Sequence, residues 1–360
     1  MRDVRAWMKD RRAPQVFRLF GYAGTGKSTL ARELANGVKG HVCFAAFTGK
    51  AALVMKRKGC ADASTIHSLI YRLDEDAEGW EPKFNLNKGS AVRDAALVVI
   101  DECSMVDKDL GQDLLSFGTR VLVLGDPAQL PPVKGSGYFT EGVEPDVRLT
   151  EVHRQARDNP IIAMSMRIRE GEPLDVGSYG TSRVIEREQI DAEQILEADQ
   201  VIVGMNRTRE NYNRRIRTLL DRTDPLPVVD DKLVCLRNDK EKKLLNGSLW
   251  RVHKPCRNAV TRDNAIDFSI VPEDEADEPK PTNVQVRKEF FLGGADELHW
   301  KTLLGSQQFA YGYALTCHKS QGSQWNSVVV FDEAAAFRED ARRWRYTAVT
   351  RAAERVTIVR

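Results

Sequence analysis

Apolar residues in this chain fall in short runs separated by longer amphipathic stretches. Over the first 150 residues, Val16–Phe20, His41–Phe47, Ala96–Asp101 and Val121–Gly125 are β-rich and strand-sized, with helical character between them, as in Ser28–Asn36. Strands alternating with helices predict a parallel sheet covered on both faces. Such sheets bind ligands at the carboxyl ends of their strands. A second α/β rhythm begins near residue 151, with strands expected at Gln200–Met205, Phe309–Thr316, Ser327–Phe331 and Arg355–Val359. Residues 231–304 break that rhythm with short runs at Lys232–Arg237, Ser248–His253, Ala265–Val271 and Asn283–Phe291, interrupted by an acidic loop, Pro272–Pro279. That pattern predicts a small β-barrel inserted into the second α/β domain. A polar insertion at about 71–93 interrupts the first domain, and no tandem repeat is present.

Composition changes this picture little. The 360 residues are 42% hydrophobic and 29% charged, a soluble globular balance that excludes a disordered or collagen-like chain. The longest apolar runs, such as Ala95–Ile100, are strand length, well short of the roughly 18 residues of a membrane helix. The opening stretch, with Arg2, Arg5, Lys9, Arg11 and Arg12, carries no apolar core of a signal peptide. Charge is nearly balanced, 54 basic against 52 acidic residues, which neither requires nor excludes nucleic acid. The six cysteines (43, 60, 103, 235, 256 and 317) form no C-x-x-C pair. Free thiols are expected, in a reducing, cytoplasmic setting.

Candidate chemistry begins at Gly21-Tyr-Ala-Gly24-Thr25-Gly26-Lys27-Ser28-Thr29, which matches G-x-x-x-x-G-K-[ST] between an expected strand and an expected helix. Glycines let backbone N–H groups close around phosphate oxygens, and the helix N-terminus adds favourable partial charge. Lys27 would reach the β- and γ-phosphates of a nucleotide, and the Ser28 hydroxyl would hold Mg²⁺. Val98-Val99-Ile100-Asp101-Glu102 supplies a strand ending in two carboxylates. Asp101 would bind the metal and Glu102 would polarise an attacking water. The adjacent Glu favours hydrolysis over kinase transfer, because a kinase must exclude water. Cys103 reads as a small buried residue.

Further motifs follow in order: Gly125-Asp-Pro-Ala-Gln129-Leu-Pro131-Pro-Val133, Ala314-Leu-Thr316-Cys-His318-Lys-Ser-Gln321-Gly322-Ser-Gln-Trp325, and Tyr346-Thr-Ala-Val-Thr350-Arg351-Ala352. With the phosphate loop and the Asp-Glu pair, this series resembles superfamily 1B DNA helicases of the RecD-like and Dda-like branch, over roughly Phe17 to Val359. A P-loop AAA-type ATPase assignment is the other reading. The resemblance implies an α/β fold of two RecA-like parallel-sheet P-loop cores. These would be residues 1–150 and residues 151–230 plus 305–360. It also implies an SH3-like β-barrel at 231–304 and a pin-like insertion at 71–93.

The same resemblance implies ATP, bound with Mg²⁺ in the cleft between the cores. Gln129 matches a γ-phosphate sensor, Arg351 an arginine finger, and Arg154 a second arginine reaching the phosphates. His153 stands where an aromatic residue packs on adenine, and Gly322 is expected at the nucleotide. Gln324 replaces a glutamate usual near the ribose. Gln15 lies almost on the first strand, too close to serve as the family's adenine-reading glutamine; either the start is assigned too late or adenine is poorly selected, and relaxed nucleotide selectivity is the expectation.

Single-stranded DNA and its junctions with duplex are the implied partners. Thr48, Lys50, Thr65, His67, Pro131, Asn206, Arg207, Thr316 and His318 are the contact positions that follow. Hydroxyl and imidazole donors suit a motor that grips phosphates without reading sequence. Arg207, Arg209, Arg214, Arg215 and Arg217 concentrate charge locally. Trp80 and Phe84 would stack in the pin, whereas Trp250, after an Asn246-Gly247 hairpin turn, reads as barrel core. The implied activity is 5′ to 3′ translocation and unwinding by a monomer in the cytoplasm, or in host cytoplasm if the chain is viral. A nucleic-acid-stimulated ATPase without unwinding, an RNA-directed relative and a loader with vestigial ATPase remain open. Intact Lys27, Asp101, Glu102, Gln129 and Arg351 speak against the last.

Overall fold

A computed structural model describes residues 2–133, 135–150, 159–254, 264–273 and 280–360, without the side chain of Ser28. The described residues form two six-stranded sheets, a five-stranded sheet and a two-stranded hairpin. In the first sheet the spatial order is Ser64–Thr65, Val42–Ala46, Leu97–Asp101, Val121–Gly125, Val16–Gly21 and Val147–Leu149. Every neighbouring pair is parallel. All five residues of Leu97–Asp101 and of Val121–Gly125 are buried, which is why these strands read as unbroken apolar runs. Side chains alternate between two cores, as period two requires. Val98, Ile100, Val121 and Val123 pack with Phe20, Leu114 and Phe139. Leu97, Val99, Leu122 and Leu124 pack with Leu19, Ala31 and Trp7.

The second sheet runs Ala314–Thr316, Gln200–Val203, Trp325–Phe331, Ala352–Val359, Ser182–Ile185 and Gly177–Tyr179, parallel except for the last pair. Val328 and Val330 face a core that also takes in Leu130, with Ala23 and Ala128 packed against it. That core therefore joins the two sheets.

The region between them is a five-stranded antiparallel sheet: Thr282–Arg287, Ala265–Pro272, Leu249–Lys254, Lys232–Cys235 and Phe309–Tyr311. Its edges meet where the Gln307 N–H donates to the Gln285 carbonyl at 2.8 Å. Trp250 lies in its core with Phe268, Val286 and Phe309. The run expected as one strand, Phe309–Thr316, is broken. Phe309–Tyr311 pairs with Lys232–Cys235, and Ala314–Thr316 crosses to the second sheet. Gly312 makes the crossing, because a Cβ there would stand 3.0 Å from the Leu233 carbonyl carbon. The polar insertion is a hairpin of Tyr71–Asp74 and Lys83–Leu86. No helix among the described residues is long and apolar enough to cross a membrane.

Candidate active site

The carboxyl ends of Val16–Gly21, Leu97–Asp101 and Val121–Gly125 lie side by side and carry the candidate nucleotide residues. The loop after the first strand turns at Gly24 and Gly26, both with φ 77°, a left-handed conformation that glycine adopts freely. Gly21 cannot carry a side chain, since its Cβ would stand 2.5 Å from Thr25 Oγ1. Thr25 Oγ1 donates to the Tyr22 carbonyl at 2.8 Å. Lys27 Nζ folds onto the loop and donates to the carbonyls of Gly21 (2.7 Å) and Tyr22 (3.0 Å). Its ammonium thus waits inside the turn where phosphate oxygens would compete for it. Thr29, one turn into helix Lys27–Ala35, is exposed.

Asp101 is buried at its strand end and accepts the Glu102 N–H at 2.9 Å. Glu102 has φ 53°, a strained left-handed backbone for a residue with a side chain. Burial, then the neighbouring Asp101 charge, push the Glu102 carboxyl above its ordinary value, while Arg351 and Lys27 pull it back. Asp126, 1% exposed, is likewise raised by burial. It accepts from the Tyr346 hydroxyl at 2.6 Å and from the Ala128 N–H at 3.0 Å. Cys103 is fully buried behind these carboxylates, and burial raises its thiol.

The facing residues come from the second sheet. Arg351, 5% exposed, donates to the carbonyls of Thr347 (3.0 Å) and Ser323 (3.2 Å). Its charge still reaches Glu102 and Asp126. The Tyr346 hydroxyl, besides donating to Asp126, accepts the Ala23 N–H of the phosphate loop at 3.0 Å. Gln129 is buried with an unpartnered Oε1, and so is Gln321, whose Nε2 donates to the Leu130 carbonyl at 3.1 Å. Tyr346, Asp126 and Gln321 all stood inside motifs read from sequence, but nothing in the sequence revealed that they meet across a cleft.

Other expected positions lie elsewhere. Gly322 does not face the loop; its Cβ direction meets Thr48 Oγ1 and Ala51 Cβ at 2.9 Å. Gln324 lines a 590 Å³ cavity with Arg222, Lys232, Arg251 and Tyr313, away from the phosphate loop. Gln15 donates to the carbonyls of Leu115 and Thr119, both at 2.9 Å, so its amide group is committed to backbone. His153 and Arg154 lie outside the described residues.

The candidate nucleic-acid residues cluster at helix starts. Thr48, Thr65 and Thr316 are N-caps that accept the N–H of Ala51 (3.1 Å), Ser68 (3.1 Å) and Lys319 (3.3 Å). Lys50 is buried rather than presented to solvent, because Gly49 abuts Leu245 and Asn246 in the connection between strands Lys232–Cys235 and Leu249–Lys254. Burial lowers its ammonium from 10.5 to about 8. His67 is exposed, with one side of its ring against Tyr71 (4.8 Å) and Phe84 (4.4 Å), and that partial burial lowers it. His318 is lowered by burial and hydrogen-bonds the Pro131 carbonyl. Asn206 and Arg207 are exposed at the start of helix Asn206–Leu219. Glu333 accepts the preceding N–H groups of Gly204 (2.6 Å) and Met205 (3.0 Å). Arg217, read as part of a basic track, is instead buried in an ion pair with Asp231 at 3.0 Å. Trp80 at the hairpin is 71% exposed, and the Trp300 indole donates to the adjacent Gly79 carbonyl at 3.1 Å.

A glycine-rich phosphate cradle on one parallel sheet, faced by an arginine and a tyrosine from a second, defines a two-sheet P-loop nucleotide site. Residues 4–189 match the family described as an AAA domain, and the chain belongs to that family. Residues 311–359 match the UvrD-like helicase C-terminal domain. The ATP-dependent RecD2 DNA helicase of Deinococcus radiodurans is 28% identical over 94% of this chain, but the match spans only 46% of that protein. The ATP-dependent DNA helicase Pif1 of Bdellovibrio bacteriovorus is 26% identical over 85% of this chain and 75% of its own length. The superfamily 1B resemblance read from the motifs therefore holds. In fold, the chain is similar to the crystal structure of Pif1 helicase from Candida albicans, with TM-score 0.61, 18% identity and coverage of 100% and 94% of the two chains. It is also similar to Bacteroides Pif1 solved with ADP-AlF3 and single-stranded DNA, at TM-score 0.57 and 17% identity over 99% and 91%.

Proposed function

We propose that this chain is the motor of an ATP-dependent DNA helicase. The observation that carries the reading is the Tyr346 hydroxyl of the second-sheet unit, which accepts the Ala23 N–H of the phosphate loop at 3.0 Å and donates to Asp126 at 2.6 Å, joining the two sheets around the loop that holds Lys27. ATP enters between the sheets. Gly24, Thr25, Gly26, Ser28 and Thr29 supply the cradle, and Lys27 leaves its parked carbonyls for the phosphates. Glu102 orients and deprotonates water, and Gln129 senses the γ-phosphate by donating its side-chain N–H, its unpartnered Oε1 being left to accept from that water. Arg351 stabilises the charge spread over the γ-oxygens. Asp101 and Ser28 would hold Mg²⁺. One buried carboxylate and one hydroxyl are a hard-oxygen donor set that fits an ion shared with phosphate. The metal, when bound, supplies charge neutralisation on the phosphates.

The two sheets are the RecA-like cores, at 1–150 and at 151–230 plus 305–360, and 231–304 is an SH3-like barrel. Single-stranded DNA crosses Thr48, Thr65, Thr316, His318 and the exposed Asn206 and Arg207, in the 5′ to 3′ sense. Junction duplex meets Trp80. Loss of the γ-phosphate that both sheets grip lets the cleft open, and that cycle drives translocation. Gln15, its amide committed to backbone, does not read the base. A cytoplasmic monomer acting in repair, recombination or replication completes the reading, and the five buried free cysteines among the described residues suit that compartment.

The test is Mg²⁺-ATP hydrolysis with and without single-stranded DNA, beside Lys27→Ala, followed by forked duplexes with 5′ or 3′ tails. Stimulation lost in the mutant, and unwinding from a 5′ tail, are expected. Hydrolysis indifferent to DNA would sink the motor reading. Stimulation without unwinding would leave a translocase.

A further inference from the structure

The phosphate loop is held from the second sheet at two adjacent residues. Tyr346 takes the Ala23 N–H. One residue earlier, the guanidinium carbon of Arg169 stands 3.8 Å from the centroid of the Tyr22 ring. Arg169 is the next-to-last residue of helix Pro160–Glu170, whose Ile161, Met164 and Ile168 pack in the second-sheet core. The cap of that helix, Asn159, donates to the Ala353 carbonyl at 3.0 Å. The contact with Tyr22 therefore crosses the cleft.

Its location gives it leverage. The peptide joining Tyr22 to Ala23 is engaged at both ends. Its carbonyl accepts from Lys27 Nζ (3.0 Å) and Thr25 Oγ1 (2.8 Å), and its N–H donates to Tyr346 (3.0 Å). Rotating that peptide would take an acceptor from Lys27 and re-aim the loop. Arg169 fixes the ring attached to the same residue. Its side chain is 25% exposed, and its ion pair with exposed Glu170, at 3.4 Å, competes weakly. A guanidinium over an aromatic face in a half-covered cleft is a favourable, directional contact.

We propose that Arg169 is a positioning residue for nucleotide binding, clasping Tyr22 so that the shape of the phosphate loop follows closure of the cleft. The inference rests on the nucleotide-site reading above and adds a residue to it. Arg169 acts through Tyr22, so its loss should fall on nucleotide affinity and on KM rather than on kcat.

The probe is fluorescent mant-ADP with Mg²⁺, titrated against wild type, Arg169→Ala, Arg169→Lys, Tyr22→Ala, Tyr22→Phe and the double alanine variant, with Lys27→Ala as the binding-deficient control. Arg169→Ala and Tyr22→Ala should each weaken binding about three- to tenfold, the range of one partly covered cation–π contact. The double variant should be no weaker than either single one. Tyr22→Phe, which keeps the ring, should regain most of the Tyr22→Ala loss, and Arg169→Lys part of the Arg169→Ala loss. Steady-state ATP hydrolysis at saturating single-stranded DNA should show the same factor in KM. Wild-type binding that vanishes in Lys27→Ala but survives unchanged in Arg169→Ala overturns this inference alone, and so do fully additive losses. A loss confined to kcat would make Arg169 a phosphate-contacting finger and overturn the positioning role. Wild type binding no better than Lys27→Ala overturns the nucleotide site itself, and this inference with it.

Discussion

Replacing Tyr346 with Phe removes one oxygen atom from the centre of the cleft. The ring is 1% exposed and stays in place, so the apolar burial term hardly changes. Two partners lose their bond. Asp126, 1% exposed, keeps the Ala128 N–H but loses a 2.6 Å donor. The Ala23 N–H loses its acceptor. A hydrogen bond to a charged group contributes about 1.5–3 kcal/mol, and an orphaned buried donor costs about 1–3 kcal/mol. Water entering a loosened cleft recovers part of both, leaving a loss of about 2–4 kcal/mol. Because both bonds join the two sheets, the loss acts on closure rather than on either core. At about 1.4 kcal/mol per tenfold, closure weakens by at least about 30-fold. The assay is kcat/KM for ATP at saturating single-stranded DNA, with thermal unfolding alongside. We expect kcat/KM to fall by more than tenfold and the melting temperature to fall by only a few degrees. A Tyr346→Phe enzyme with unchanged kcat/KM would refute the brace and the magnitude built on it.

Other outcomes follow from particular groups. Arg217→Ala removes the 3.0 Å partner of the fully buried Asp231, which keeps Arg222 at 3.2 Å and the Tyr313 hydroxyl at 2.8 Å, so denaturant unfolding should show a loss of about 1.5–3 kcal/mol; a loss under about 0.5 kcal/mol contradicts the pairing. Glu102 holds its proton more tightly folded than unfolded, so its contribution to stability falls as pH rises from about 4.5 through the raised value. Glu102→Gln should therefore be more stable than wild type at pH 8 and equal to it near pH 4; the reverse order would show the carboxyl to be lowered instead. The same carboxyl must be ionised to take a proton from water, so the acid limb of ATP hydrolysis should lie above the ordinary glutamate range. Trp80→Ala removes an exposed ring that could stack on a base for about 1–3 kcal/mol, so fork unwinding should drop several-fold more than ATP hydrolysis. Equal losses of both would make Trp80 a packing residue of the hairpin.

Sequence alone determined the parts whose physics is local. A phosphate loop needs glycines at left-handed positions, so Gly24 and Gly26 were legible, and Lys27 followed by register. Strands buried on both faces must be apolar throughout, so Leu97–Asp101 and Val121–Gly125 stood out, as did the carboxylate that ends the first of them. The inserted sheet was legible from its short runs, and Trp250 from its place after a hairpin turn. What only the tertiary structure decided depends on groups hundreds of residues apart. Tyr346 meets Asp126 and Ala23 across the cleft, and Arg169 meets Tyr22, through contacts that carry no periodic signal. Burial set the state of residues whose chemistry looked free. Lys50 lies beneath the inserted region with a lowered ammonium, Arg217 is tied to Asp231, and Gln15 is spent on two carbonyls. A side chain's type is written in the chain, but its solvent and its partner are properties of the packing, and those two decide charge, reach and role.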